Sequence, residues 1–417
     1  MLNAPKALRL HIGIFGRTNV GKSTFLNYVV AQDVAITSAL PGTTTDIVEK
    51  AIEFLPLGPV VFLDTAGIDD ISPLANLRVE RTKKAFARCD IFVLLTEPDK
   101  WGDYEKEIAV VAKKQNSPLI VIINKSDAKP VTPEFLNMVS IDAPRVMACS
   151  STDNLAREKT IAQFKRLLIE NCPSDFLNPP ALIGDLLPTG GLAVLVVPID
   201  LEAPKGRLIL PQVQAIRDLL DNDAAALVVK ERELKIYLQR LGIKPDLVIC
   251  DSQVVLKMVA DTPLDIKCTT FSILFARNKG DLVENARAAK VIDNLKPGDK
   301  VLIAESCSHH PIEDDIGRVK IPRWLTQYVG GKLDIVTCAG ADYPDNLKEF
   351  KLVIHCGGCM MNRRQVLARI QKAKEAGVPV TNYGVAISFV QGVLERVLSP
   401  FPAALEAFRG RDAIYGV

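Results

Sequence analysis

Cysteine and histidine gather in two short stretches of this chain, Cys307-Ser308-His309-His310 and His355-Cys356-Gly357-Gly358-Cys359. Histidine is scarce, 4 in 417 residues, and three of the four fall here. Cys356 and Cys359 have the spacing that lets two thiolates grip one metal centre, and Cys307 offers a third. Gly357 and Gly358 allow a tight turn between the thiols, with N–H groups left to bond sulfur. Two metal readings compete. Zinc would take Cys307, Cys356, Cys359 and one histidine in a closed tetrahedron. A 4Fe-4S cluster would take the three thiolates and leave one iron with a weak or exchangeable ligand, for which His309, His355 and Glu305 are candidates. Chemistry alone does not separate the two.

A second constellation opens the chain. Gly16-Arg17-Thr18-Asn19-Val20-Gly21-Lys22-Ser23 follows an apolar run and precedes a helical pattern, the setting of a phosphate-binding loop. Its backbone N–H groups would cradle phosphates, Lys22 would reach the β/γ oxygens and Ser23 would ligate Mg2+, in a set that includes Gly21 and Thr24. Four further motifs follow in order. Asp64-Thr65-Ala66-Gly67 ends an apolar strand, where the carboxylate can reach Mg2+ through water and Gly67 N–H can meet the γ-phosphate. Pro41-Gly42-Thr43-Thr44-Thr45-Asp46 suits a switch loop. Asn124-Lys125-Ser126-Asp127 ends another strand, and Asp127 can accept both edge N–H groups of guanine, which adenine does not supply. Ser150-Ser151 fits a last base-contacting loop. Together they specify GTP/GDP, with guanine held by Asn124, Lys125 and Asp127. Ile68 stands where a water-positioning Gln would sit, so slow intrinsic hydrolysis is expected unless K+ or a partner completes the site.

These motifs need strands that end in loops. Apolar runs predict strands at Leu10–Phe15, Val60–Asp64, Ile91–Thr96, Leu119–Asn124 and Val146–Cys149. Helical spacing predicts helices after Lys22, around Leu77–Ala87, at Tyr104–Gln115 and from Leu155 to Glu170. Alternation of the two implies a parallel sheet covered on both faces. The stretch from Cys172-Pro173 to Asn178-Pro179-Pro180 reads as a linker. A second α/β pattern has strands at Ala193–Ile199, Ala224–Lys230 and Leu247–Cys250, with helices after Pro211 and over Glu231–Leu241. A third begins near Cys268, with strands at Lys300–Ala304, Leu333–Thr337, Leu352–His355 and Val380–Tyr383 and a helix at Asn362–Ala376. Both cysteine stretches therefore lie just past carboxyl ends of parallel strands, where loops converge on ligands. The expected division is 1–172 for a P-loop GTPase domain, 173–265 for a middle α/β domain that could present an oligomer interface, and 266–417 for an α/β domain carrying both cysteine stretches. The fold class is α/β, with mainly parallel sheets.

Composition excludes other classes. Hydrophobic content of 48% and charged content of 24% are those of a soluble globular protein. Net charge is +2 without a basic tract, which gives no electrostatic case for nucleic acid. No apolar run approaches the roughly 18 residues of a membrane span, and a cytoplasmic location is expected. Nine cysteines in such a chain argue for thiols and metal ligation over disulfides. Lys205-Gly206-Arg207 reads as a solvated loop, Asp251 or Ser252 as a helix cap, and Cys338 as a small strand-end residue. His11 reads as a packed or edge histidine.

On its five motifs the first segment resembles the translation-factor-related GTPases of the Era and tRNA-modification type. That resemblance implies Thr44 as the switch ligand of Mg2+ and Asn19 as a K+ ligand beside the phosphates. GTPase motifs, an α/β middle region and then Cys-x-His…His-Cys-x-x-Cys resemble, over the whole chain, the HydF family of FeFe-hydrogenase maturation GTPases. The resemblance selects the iron–sulfur reading and implies Cys307, Cys356 and Cys359 as ligands of a 4Fe-4S cluster whose fourth iron is open to non-cysteine ligands. It further implies a homodimer formed by the middle region. It also implies a scaffold role, in which a diiron precursor made by two radical-SAM maturases is received and passed to apo-hydrogenase. The alternative of another class is a zinc-stabilised GTPase assisting RNA modification or ribosome assembly.

Overall fold

The computed structural model describes residues 5–30, 48–64, 85–178, 180–198, 208–306, 315–340 and 343–411. They divide into two compact units, Met1–Pro179 and Pro180–Val417.

In the N-terminal unit a six-stranded sheet runs in the order β2-β3-β1-β4-β5-β6. Its strands are β1 (Leu10–Gly16), β2 (Val48–Phe54), β3 (Gly58–Asp64), β4 (Ile91–Thr96), β5 (Leu119–Ile123) and β6 (Val146–Ala148). β1 is buried along its whole length and pairs in parallel with β3 and β4, as a strand covered on both faces should. Leu10, Ile12 and Ile14 pack with Phe25 and Phe164 on one face. Phe15 packs with Leu63, Phe92 and Leu94 on the other. Each such side chain stabilises the fold by about 1.5–3 kcal/mol. β2 was not anticipated. Its sequence alternates, with Ile52 and Phe54 buried and Glu53 exposed, so it reads as a half-exposed edge and pairs antiparallel with β3. The helix Pro133–Asp142 is a second addition, started by Pro133 and by Thr132, whose hydroxyl accepts from Phe135 N–H at 3.2 Å. Most of the helix expected around Leu77–Ala87 lies outside the described residues.

The C-terminal unit carries two four-stranded parallel sheets. The first has the order β10-β9-β7-β8, from β7 (Leu192–Val196), β8 (Ala225–Val229), β9 (Leu247–Cys250) and β10 (Lys267–Thr270). The second has the order β12-β11-β13-β14, from β11 (Lys300–Ala304), β12 (Asp334–Cys338), β13 (Leu352–His355) and β14 (Val380–Asn382). β10 pairs with β9, so the first of these sheets reaches past residue 265, and the segment near Cys268 closes it rather than opening the next. Val194, Ile249 and Cys268 share one buried cluster with Val301, Ile303 and Ile354, which joins the sheets through a continuous core. The helix Phe271–Lys279 stands at the join. It packs on Leu210–Asp221 beside the first sheet and on Arg363–Glu375 and Tyr383–Val390 beside the second. β11 and β13 are adjacent and in register, Ala304 opposite His355, so Glu305, Ser306 and Cys356 emerge side by side. The observed fold class is the expected α/β with mainly parallel sheets.

Candidate functional site

The loop after β1 is built by backbone conformation. Gly16 and Gly21 have φ of +147° and +96°. A Cβ on Gly21 would stand 2.5 Å from Asn124 Nδ2 and one on Gly16 2.6 Å from the Leu95 carbonyl, so only glycine fits. Asn19 adopts φ +63°, which asparagine tolerates better than most residues. Lys22, buried at the start of its helix, donates Nζ–H to the carbonyls of Gly16 and Arg17, each at 2.8 Å. That arches the ammonium over its own loop. Ser23 Oγ donates to Asp64 Oδ2 at 3.0 Å, so the two expected Mg2+-side groups face each other across β1 and β3. Burial raises the Asp64 carboxyl above its ordinary range, opposed by Ser23, Lys22 and Lys50. Thr24 is exposed beside them. Thr44, Gly67 and Ile68 lie outside the described residues.

The base-side loops are tied to this one. Asn124 is 2% exposed. Its Nδ2 donates to Val20 O at 2.9 Å, and its Oδ1 accepts from Ser151 N–H at 3.1 Å and Oγ at 2.8 Å. It is a strut between the phosphate loop and the Ser150-Ser151 loop. Lys125, at φ +59°, donates to Asn19 O at 2.7 Å and to Glu97 Oε1 at 2.6 Å. Asp127 is exposed, and a hydrogen bond from Ser150 is the first cause holding its carboxyl below the ordinary range. Sequence reasoning missed a second brace. Arg17 forks onto Glu105 at 2.7 and 2.8 Å, with Glu105 fully buried, and Gly16 N–H donates to Tyr104 Oη at 3.2 Å. The helix Asp103–Lys114 thereby anchors the loop from outside, through partners that no local motif marks.

The cysteine turn is assembled differently. Cys356 Sγ lies 3.1 Å from Ser306 N–H and 2.9 Å from Ser306 Oγ, two donors that suit a thiolate. Gly358 turns at φ +67° and Asn362 caps the helix Arg363–Glu375, so the chain turns between Cys356 and the start of that helix. Burial raises the Cys359 thiol, the neighbouring Cys356 raises it further, and Lys279 opposes both. Lys279, whose Nζ touches this turn, is itself pushed down to about 8 by burial. Cys307 follows Ser306 directly in sequence; it and His309 lie outside the described residues. Among the described residues no three His, Cys, Asp or Glu side chains converge as a metal site, and no disulfide joins the described cysteines. The donor set nevertheless suits a cluster: two thiols on one turn, N–H and O–H donors at one sulfur, and a buried cation alongside.

His355 and Glu305 are engaged elsewhere. His355 Nδ1 is 2.7 Å from Cys356 O, which only accepts, so Nδ1 carries the hydrogen. Nε2 is then bare and accepts from Arg369 Nη1 at 3.2 Å. Burial, then the Arg369 charge, push the imidazole down to about 4, so it is neutral. Neither nitrogen is left for iron in this arrangement. Glu305 is buried and pairs with Arg318 at 3.0 Å. Arg369 is the hub that sequence reasoning missed. It donates to Glu305 O at 3.1 Å and to Gly340 O, and lies 5.1 Å from the centre of the Tyr343 ring, so one guanidinium clasps the ends of β11, β12 and β13. Its helical position carries only the generic signal of an arginine on an amphipathic helix. Cys338 packs into the core on its own side of the sheet.

With this geometry in place, comparison with known proteins is informative. A model of the hydrogen maturase F dimerization domain matches residues 182–280, and one of the hydrogen maturase F tetramerization domain matches 283–400. The chain belongs to the hydrogen maturase F family. The model of a 50S ribosome-binding GTPase matches residues 11–125, so this hydrogen maturase F chain carries a GTPase domain ahead of two domains of dimerization and tetramerization type. Among curated proteins the tRNA modification GTPase MnmE of Synechococcus sp. (strain JA-3-3Ab) is 43% identical over 122 residues, 28% of this chain and 26% of that protein. MnmE of Lactococcus lactis subsp. cremoris (strain SK11) is 36% identical over 159 residues, 37% of this chain and 33% of that protein. The chain thus spans about a quarter to a third of the length of these relatives. Aquifex aeolicus Era bound to GDP and aluminium fluoride aligns with 56% of this chain and 98% of its own, at 19% identity and a TM-score of 0.32. The G domain of the T. maritima FeoB iron transporter aligns with 38% and 98%, at 14% identity and a TM-score of 0.30. The cysteine turn of this family member falls in the tetramerization-domain match and Lys279 in the dimerization-domain match. Among the described residues no helix is long and apolar enough to cross a membrane.

Proposed function

We propose that this hydrogenase maturation GTPase is also an iron–sulfur scaffold, which binds a diiron precursor of the FeFe-hydrogenase active site and delivers it to the apoprotein. The observation that carries the reading is the Cys356–Cys359 turn with Ser306 at its sulfur, one residue before Cys307, in a chain with a complete phosphate loop. Cys307, Cys356 and Cys359 hold the cluster, and the fourth iron takes an exchangeable ligand, for which His309 is available by sequence. When bound, a cluster with one iron free of thiolate supplies an attachment point for a diiron substrate. The chain's own residues do the rest: the Ser306 donors offset charge on Cys356, and Arg369 keeps the three strand ends together.

In the GTPase domain Lys22 and Gly67 serve the γ-phosphate, Ser23 and Thr44 bind Mg2+, Asp64 reaches it through water, and Asp127 reads guanine. Gly21, Thr24 and Ser150 complete the nucleotide site, with Asn124 and Lys125 as its braces. Asn19 is the K+ ligand. Hydrolysis acts as a switch on partner binding. The partners are apo-hydrogenase, two radical-SAM maturases and a second copy of this chain, in the cytoplasm. Three domains carry the parts: the GTPase domain over 1–172, a dimerisation domain continuing through β10, and the cluster domain after it. The strand pairing of β10 with β9 supports that junction.

Anaerobic reconstitution with iron and sulfide tests the reading. Wild type is expected to gain 4Fe-4S absorption and an EPR signal on reduction, and Cys356→Ser and Cys359→Ser to lose them. One tightly held zinc and a colourless protein would replace the scaffold reading with the zinc-stabilised one. For Asn19, GTP hydrolysis is expected to be faster in K+ than in Na+; equal rates remove K+ from the site.

A further inference from the structure

Lys279 ends the helix at the join of the two C-terminal sheets and is 4% exposed. Its Nζ donates to three carbonyls of one loop: Met361 at 2.8 Å, Gly358 at 3.0 Å and Cys359 at 3.4 Å. Three acceptors match the three hydrogens of an ammonium and leave none over. Phe275, one helical turn earlier, sets its ring 5.4 Å from Nζ. None of these partners is a carboxylate. A cation taken from water into such a place costs several kcal/mol unless an anion stands nearby. Once ionised as ligands, the Cys359 and Cys356 sulfurs are the anionic groups that favour the ammonium. Three thiolates around a 4Fe-4S core make an anionic assembly, more so when reduced.

We propose that Lys279 is the fixed counter-charge of the cysteine-held centre and the positioning residue of the Gly358–Met361 loop that presents Cys359. The inference rests on the iron–sulfur reading above. The ammonium serves two ends. Its three hydrogen bonds hold the loop that carries Cys359. Its charge lowers the energy of the more negative, reduced assembly relative to the oxidised one. Because it comes from the helix that follows β10, the first C-terminal sheet contributes a residue to the centre hung on the second.

The test uses full-length protein with Lys279→Met, Lys279→Gln and Lys279→Arg, each reconstituted anaerobically with iron and sulfide. Iron content and an EPR-monitored redox titration are the readouts, with far-UV circular dichroism as the check on folding. In Met and Gln variants that load, the reduced-to-oxidised ratio at a fixed potential is expected to fall about tenfold, equivalent to about 59 mV for a one-electron couple. The Arg variant should stay near wild type. Loss of loading in folded Met and Gln variants, with loading retained in Arg, also supports the assignment. An unchanged midpoint in the Met or Gln variant overturns it, as does a displacement in Arg as large as in Met. Failure of wild type itself to take up iron and sulfide overturns the iron–sulfur reading instead.

Discussion

The phosphate loop and the cysteine turn both follow parallel strands and both turn on glycines in left-handed conformations. In the first, Lys22 bonds the carbonyls of Gly16 and Arg17 in its own loop, and Glu105, Asn124 and Lys125, 88 to 106 positions away, bond Arg17, Val20 and Asn19. In the second, the restraints are two basic side chains from helices outside the turn. Lys279 reaches the turn from another sheet's helix, and Arg369 reaches three strand ends from the helix behind them. A site that binds phosphates needs backbone N–H groups, which a short motif presents and distant braces steady. A cage of thiolates needs neutralising charge and separated ligands, which only packing can bring together.

Substitutions can break this contrast, beginning with the largest effect. Lys22→Ala should lower GTP hydrolysis at least about 100-fold, as for loss of a main transition-state donor. Phosphate release measures it, and a loss under tenfold would mean that Lys22 merely braces its loop. Arg369→Met should cost the C-terminal unit about 3 kcal/mol, because it removes a buried charged donor to three strand ends. Thermal melts followed by domain-resolved hydrogen exchange should show that loss with GTP hydrolysis unchanged; equal destabilisation of both units would dissolve the contrast. Gly21→Ala should cost about 1–3 kcal/mol through its φ of +96° and the 2.5 Å approach to Asn124, and weaken GDP binding in calorimetry. Ser306→Ala should have the smallest effect. Removing one hydroxyl donor to Cys356 costs about 1 kcal/mol, read as a slightly lower midpoint for the reconstituted cluster. A shift as large as that of Lys279→Met would make the hydroxyl, rather than the ammonium, the dominant tuning group.

Much of the fold was legible because continuous apolar runs such as Ile91–Thr96 and Leu247–Cys250 are what a strand buried on both faces requires. β2 was not, since its alternating edge pattern gives a weak signal, nor was β10, which pairs with β9 beyond the boundary expected at 265, because strand pairing is decided by distant partners. In the site, Ser23 and Asp64, both expected on the Mg2+ side, stand within hydrogen-bond distance of each other. The candidacy of His355 did not carry over so simply. Its spacing beside Cys356 suggested a ligand, yet its ring nitrogens are taken by Cys356 O and Arg369.

The amino-acid sequence by itself determined the order of the nucleotide motifs, the strands that end at them and the turn between Cys356 and Cys359. Spacing and glycine positions act over a few residues, and such local geometry survives in any fold that places a strand before and a helix after. Only the tertiary structure decided which buried cation bonds the loop carrying Cys359, which tautomer His355 adopts and that two C-terminal sheets share one core. The first depends on residues about 80 positions apart, such as Lys279 and Met361, and the tautomer on the Arg369 set against His355, all meeting through how sheets and helices pack.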